Sequence, residues 1–122
     1  MRIITLFAVL FCGLTTFAQK AGLHVYDLTC EHHVNPIGLD AATPRFSWKI
    51  ASGDEGIMQT EYELRVSREK DFTPLAFIAL LPSDQSVMVP YSGTPLQPNT
   101  RYYWQVRVKD NKGNRSPWSS IA

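Results

Sequence analysis

Apolar and polar residues alternate with period two in short runs along this chain. Beyond the first twenty residues, no stretch shows the three-to-four spacing of an amphipathic helix. From residue 45 to 50, Phe46, Trp48 and Ile50 face one way and Arg45, Ser47 and Lys49 the other. From 61 to 67, Tyr62, Leu64 and Val66 alternate with Glu61, Glu63 and Arg65. The longest run, 101–109, sets Tyr102, Trp104, Val106 and Val108 against Arg101, Tyr103, Gln105, Arg107 and Lys109. Val87 and Val89 alternate with Ser86 and Met88, and Leu28 with Cys30 opens the series. Each run predicts a strand that buries one face and wets the other, as an antiparallel sheet requires.

The segments 36–44, 51–56, 91–99 and 110–113 are turn-rich and separate these runs. Strands at 75–81 and 118–122 complete a set of seven, which predicts an all-β, seven-stranded immunoglobulin-like β-sandwich in one domain. Its expected core is Phe46, Trp48, Tyr62, Leu64, Val66, Tyr102, Trp104, Val106 and Val108. The run Leu75-Ala76-Phe77-Ile78-Ala79-Leu80-Leu81 breaks the rule, being apolar without alternation. Two readings stand for it: an edge that docks another domain, or a strand covered on both faces locally.

The first residues follow a different pattern. Arg2 supplies a positive start, residues 3–14 are almost unbroken apolar, and Thr16 and Ala18 occupy the −3 and −1 positions of a signal-peptidase site. The apolar run is too short to span a hydrocarbon core of about 30 Å. Residues 1–18 are therefore expected to be a signal peptide cleaved after Ala18, and 19–122 the folded domain, its last strand truncated. The product would be exported, periplasmic or extracellular. Phe11 stands where a lipidation signal on Cys12 would want a small residue.

Loss of Arg2 leaves 11 basic residues against the 11 Asp and Glu. A neutral domain without a basic stripe argues against nucleic acid or, after signal cleavage, a membrane surface as partner. Loss of Cys12 leaves Cys30 alone, so stability must come from the core and not from an internal disulfide.

Little in the chain suggests chemistry. Glu61 and Glu63 would stand roughly 6.6 Å apart on one strand face, near the lower limit for an inverting glycosidase pair. Arg65 beside them favours solvated surface charge instead. Glu31, His32 and His33 with His24 could suggest a metal, but adjacent residues on an extended chain point apart and nothing completes the set. Cys30 lacks a neighbour to activate it and reads as a small inward residue. Asn114-Arg115-Ser116 fits a glycosylation acceptor that the following Pro117 disfavours. No catalytic residue, cofactor or metal is expected. Tyr103, Arg107 and Trp118 could form a stacked cation–π ladder or, alternatively, a flat platform for a sugar.

Residues Leu96-Gln97-Pro98-Asn99-Thr100-Arg101-Tyr102 resemble the loop and penultimate strand of a fibronectin type III domain, in which the tyrosine forms a corner with the preceding loop. Trp48 resembles that family's core tryptophan, and Ser116-Pro117-Trp118-Ser119 half of its tryptophan-serine repeat. More narrowly, Leu28-Thr29-Cys30-Glu31, Asn35-Pro36-Ile37-Gly38-Leu39-Asp40 and Thr43-Pro44-Arg45-Phe46-Ser47-Trp48 are similar to the start of bacterial alpha-L-rhamnosidases. So are Met58-Gln59-Thr60, Ser83-Asp84-Gln85-Ser86 and Tyr102-Tyr103-Trp104. The resemblance spans most of residues 23–119. It implies a non-catalytic N-terminal accessory domain, a fragment of an exported hydrolase of terminal L-rhamnose whose acid and base lie in a helical barrel downstream. Its partners would be those downstream domains, with glycan as a further ligand. The alternative is an independent module binding glycan or protein.

Overall fold

The computed structural model describes residues 22–34 and 42–122. The expected signal peptide and the Asn35–Asp40 part of the motif lie outside the described residues. Six strands form two antiparallel sheets: β1 (His24–Cys30), β2 (Arg45–Ala51), β3 (Gln59–Ser67), β4 (Leu75–Leu81), β5 (Val89–Pro90) and β6 (Tyr103–Asp110). One sheet has the order β1-β2-β5 and the other β4-β3-β6, so the chain crosses between sheets after β2, β4 and β5. The two inner faces make one core. Val25, Leu28, Phe46, Trp48 and Val89 come from the first sheet, and Tyr62, Leu64, Val66, Trp104, Val106 and Val108 from the second. Phe46 meets Trp104 with ring centroids 4.6 Å apart, and Trp48 meets Tyr62 edge-on at 5.3 Å.

The strands that obey strict alternation are where the sequence places them; the departures have local causes. β1 begins at His24, four residues before Leu28, and its inward residues are Val25, Leu28 and Cys30. A register shift between Tyr26 and Thr29, with Asp27 at φ 51°, inserts an extra residue and hides the period. The strand expected over 86–89 shrinks to Val89–Pro90, because Met88 at φ 54° breaks the extended backbone. Contact with β2 continues instead through irregular bonds: Trp48 N–H to the Ser86 carbonyl, and Met88 N–H to Ser47 Oγ at 2.8 Å.

Tyr102 is half-buried and packs against the core from its margin, one residue before β6, in contrast to the full burial expected of it. Its hydroxyl accepts the Gln97 N–H at 3.0 Å, tying the 91–99 loop to the root of the strand. The strand expected over 118–122 is not a regular strand. Ser116, Ser119 and Ala122 bond along β6 opposite Val108, Val106 and Trp104, three residues of the segment for every two of the strand. Ser116 Oγ accepts the Val108 N–H (2.9 Å) and Ser119 Oγ that of Val106 (3.1 Å). Each hydroxyl then donates to the carbonyl of its next residue. This spacing turns Trp118 out across the face of the second sheet.

β4 settles the ambiguity of the apolar run in part. It is an edge strand paired to β3, with Phe77 and Ala79 turned to the core. Ile78 and Leu80, opposite Arg65 and Glu63, lie on the outer face and are 52% and 54% exposed. The strand is therefore covered on one face only.

Candidate functional site: the outer face of the second sheet

The outward residues of β3 and β6 meet across the sheet in register, Glu63 opposite Arg107 and Arg65 opposite Gln105. Arg107 binds Glu63 through Nη2 at 2.6 Å and through Nε at 2.7 Å, both to one carboxylate oxygen. Arg115 approaches the same oxygen at 3.7 Å and Glu61 at 3.9 Å. Arg65 donates to Gln105 Oε1 from Nη2 (2.6 Å) and Nε (3.2 Å), and Gln105 Nε2 donates to the Ser119 carbonyl. This relay buries Gln105 although it points outward.

The guanidinium of Arg65 lies 4.1 Å from the ring centroid of Trp118 and 4.3 Å from that of Phe72; Arg107 lies 4.4 Å from Trp118. Burial, and then the neighbouring positive charge of Arg107, pull the Arg65 guanidinium down from its ordinary value, while Glu63 opposes them. The result is a ladder of Phe72, Arg65, Trp118, Arg107 and Glu63.

Arg107 and Trp118 thus meet, but Tyr103 stands apart from the stack, with Lys70 Nζ 5.7 Å from its ring. The reason is distance. Tyr103 and Arg107 are four residues apart on one strand, about 13 Å, too far for both to touch one indole. Arg65 takes the place expected of Tyr103, since β3 lies alongside β6. Arg65 and Phe72 were not legible as ladder members. Alternation shows only that Arg65 points outward, and Phe72 follows the end of β3.

The arrangement has structural chemistry and no catalytic geometry. Glu61 and Glu63 are half-buried partners of Arg107 and Arg115, not the solvated pair expected, and the dimple they line with Leu80 and Lys109 has no enclosed volume. Trp118 is half-buried, with two guanidinium groups stacked on its ring.

The remaining candidates lie elsewhere. Glu31 is held by Arg45, whose backbone N–H donates at 2.6 Å and whose Nη2 lies at 3.0 Å. His24 bonds the Gly22 carbonyl through Nδ1 and packs near Tyr26, while His32 and His33 are exposed. Among the described residues no group of three or more His, Cys, Asp or Glu could hold a metal ion. Cys30 is buried, and desolvation, with the Glu31 charge beside it, pushes its thiol up to about 11.

Two facing sheets, a tyrosine bonded to its preceding loop and a serine-held tryptophan segment define an immunoglobulin-like domain. The chain belongs to the family of Rha78A-like N-terminal immunoglobulin domains, whose model matches residues 25–122. It is 42% identical over 103 residues to an alpha-L-rhamnosidase of Streptomyces avermitilis, covering 82% of this chain and 10% of that enzyme. The crystal structure of the Streptomyces avermitilis alpha-L-rhamnosidase complexed with L-rhamnose superposes with a TM-score of 0.79, over 83% of this chain and 10% of that one. An alpha-L-rhamnosidase from Dictyoglumus thermophilum gives 0.75 at 33% identity, over 80% of this chain and 12% of its own. The chain thus spans about a tenth of the length of the proteins it matches.

Proposed function

We propose that this domain is a non-catalytic N-terminal accessory domain of an exported alpha-L-rhamnosidase-like glycoside hydrolase, which removes terminal L-rhamnose with residues outside this chain. One observation carries the reading. The part shared with those enzymes is a tenth of their length, and in this chain it holds two carboxylates locked by arginines, not a cleft with an acid and a base. The natural partners of such a domain are the further domains of the same polypeptide, which a rigid sandwich would hold and orient. Export to the periplasm or beyond rests on Arg2, the apolar residues 3–14 and Thr16 and Ala18.

The purified chain should release no product from an aryl alpha-L-rhamnoside above buffer background. A longer polypeptide carrying this domain should do so, and deleting the domain should lower its thermal midpoint before its affinity for substrate. Turnover by the isolated chain, abolished in Glu63→Gln, would overturn the reading. The independent glycan-binding alternative is weakened by the cations on Trp118. Titration with L-rhamnose should leave the tryptophan fluorescence unchanged.

A further inference from the structure

Among the described residues, Arg65 is the arginine of the outer face that has no carboxylate. Arg107 and Arg115 both pair with Glu63, and Arg115 reaches Glu61 as well. The hydrogen bonds of Arg65, from Nε and Nη2, go to the neutral amide oxygen of Gln105. The two hydrogens of Nη1 and the second of Nη2 meet no acceptor among the described residues. The group is nevertheless held in place, with the rings of Phe72 and Trp118 4.3 and 4.1 Å from it, and it is half-buried. A fixed, part-desolvated guanidinium with N–H groups side by side matches the two oxygens of a carboxylate. Positive charge is also in surplus here. Burial, and then Arg107 on the same indole, weigh against the Arg65 cation, and Glu63 offsets them in part.

Tyr103 supplies a second contact. It faces outward from β6 two residues before Gln105, the partner of Arg65, and is itself opposite Ser67. It therefore stands diagonal to Arg65, about 7–8 Å across the strand pair. Its ring is half-buried, and Lys70 Nζ lies 5.7 Å from the centroid. One unpaired guanidinium, one aromatic ring and one further ammonium thus gather where the β3–β4 connection folds over the sheet.

We propose that Arg65 and Tyr103 form a site for a uronic acid unit of a glycan. The carboxylate takes the free N–H groups of Arg65 as a bidentate pair, and the C–H face of the pyranose rests on the electron-rich face of Tyr103. Because the carboxylate is attached directly to the sugar ring, a single unit reaches both contacts, with Lys70 at its flank. A neutral sugar such as L-rhamnose lacks the group that Arg65 selects. The choice of a sugar as the carrier rests on the reading of this domain as part of a glycan hydrolase; the carboxylate is argued from Arg65 alone.

Proton–nitrogen NMR spectra of the purified chain, recorded during titration, test the site through the Arg65 Nε–H and Trp118 indole N–H signals. D-Glucuronate should move both to saturation. D-Glucose at the same concentrations should move neither, and acetate should bind at least tenfold more weakly than D-glucuronate. Arg65→Lys keeps the charge but loses the fork, so the Trp118 signal should report at least tenfold weaker D-glucuronate binding at an unchanged circular dichroism spectrum. Tyr103→Leu should abolish the preference for D-glucuronate over acetate, and it carries the test if Arg65→Lys unfolds. Failure of the longer polypeptide to cleave an aryl alpha-L-rhamnoside would leave these shifts untouched, so the two proposals fail separately. No saturable shift with D-glucuronate would overturn the site, as would an equal response to acetate, which marks an adventitious anion only, or binding unaltered in both variants.

Discussion

Trp48 Nε1 donates to Gln59 Oε1 at 2.9 Å, joining the middle of β2 to the first residue of β3 inside the core. The amide nitrogen of Gln59 donates onward to the carbonyls of Ser83 (3.0 Å) and Gln85 (2.8 Å). One buried side chain therefore satisfies an indole and fastens the loop between β4 and β5. Gln59→Leu preserves the bulk but orphans the buried indole N–H, at a cost of about 1–3 kcal/mol, and releases the part-buried carbonyls of Ser83 and Gln85. Urea unfolding should show the largest loss of any single polar substitution in this domain. Pairing Gln59→Leu with Trp48→Phe should recover part of it, since the indole donor then disappears as well.

The serine hydroxyls that bind β6 make a separate prediction. Ser119→Ala leaves the buried Val106 N–H without an acceptor, and Ser116→Ala does the same to Val108. Each should lower stability by about 1–3 kcal/mol. Hydrogen exchange should locate the change, with the amides of residues 106 and 108 exchanging faster. Protection unchanged at both amides would contradict the pairing.

Two carboxylates should make the domain acid-sensitive. The Glu31 carboxyl is held below its usual range chiefly by the side-chain bond from Arg45, against desolvation and aided by the Arg45 backbone N–H. Burial alone would raise Asp110, but the backbone and side-chain bonds from Asn114 and the backbone N–H of Lys112 outweigh it and lower it. A folded-state value below the unfolded one contributes stability above roughly pH 4, lost as pH falls through the folded value. Asp110→Asn should therefore be less stable than wild type at pH 7, with the gap narrowing below about pH 4. Glu31→Gln should behave likewise but more weakly, its partner Arg45 being exposed to solvent. Thermal midpoints measured from pH 3 to 7 check both.

Cys30, with its thiol raised to about 11, should be inert to a thiol reagent in the native state at pH 7.5 and react at once in denaturant. Rapid labelling of the folded chain would place this side chain outside the core.

The sequence exposed most of the fold wherever period two held without interruption. Phe46, Trp48, Tyr62, Leu64, Val66, Trp104, Val106 and Val108 all lie in the core. It concealed β1 because Asp27 adds one residue to the repeat, and the C-terminal segment because side-chain hydroxyls replace carbonyls in its ladder. The ladder was only half legible for a related reason. Outward facing is a local property, whereas the identity of the neighbour depends on a segment more than fifty residues away, and Arg65 meets Trp118 only once the sheet exists. Gln59 was hidden in the same way, its partners lying 24 and 26 residues further on.

The three-for-two spacing of the C-terminal segment has a consequence for assembly. An extended strand approaching that side of the sheet would need donors and acceptors recurring every two residues, and Ser116, Ser119 and Ala122 are held at every third. Sheet growth is therefore frustrated on that flank, and the opposite edge of the same sheet, β4, is irregular in its own way, since its pairing with β3 shifts register between Val66 and Ser67. Both borders of the second sheet thus depart from the regular ladder that an incoming strand would extend.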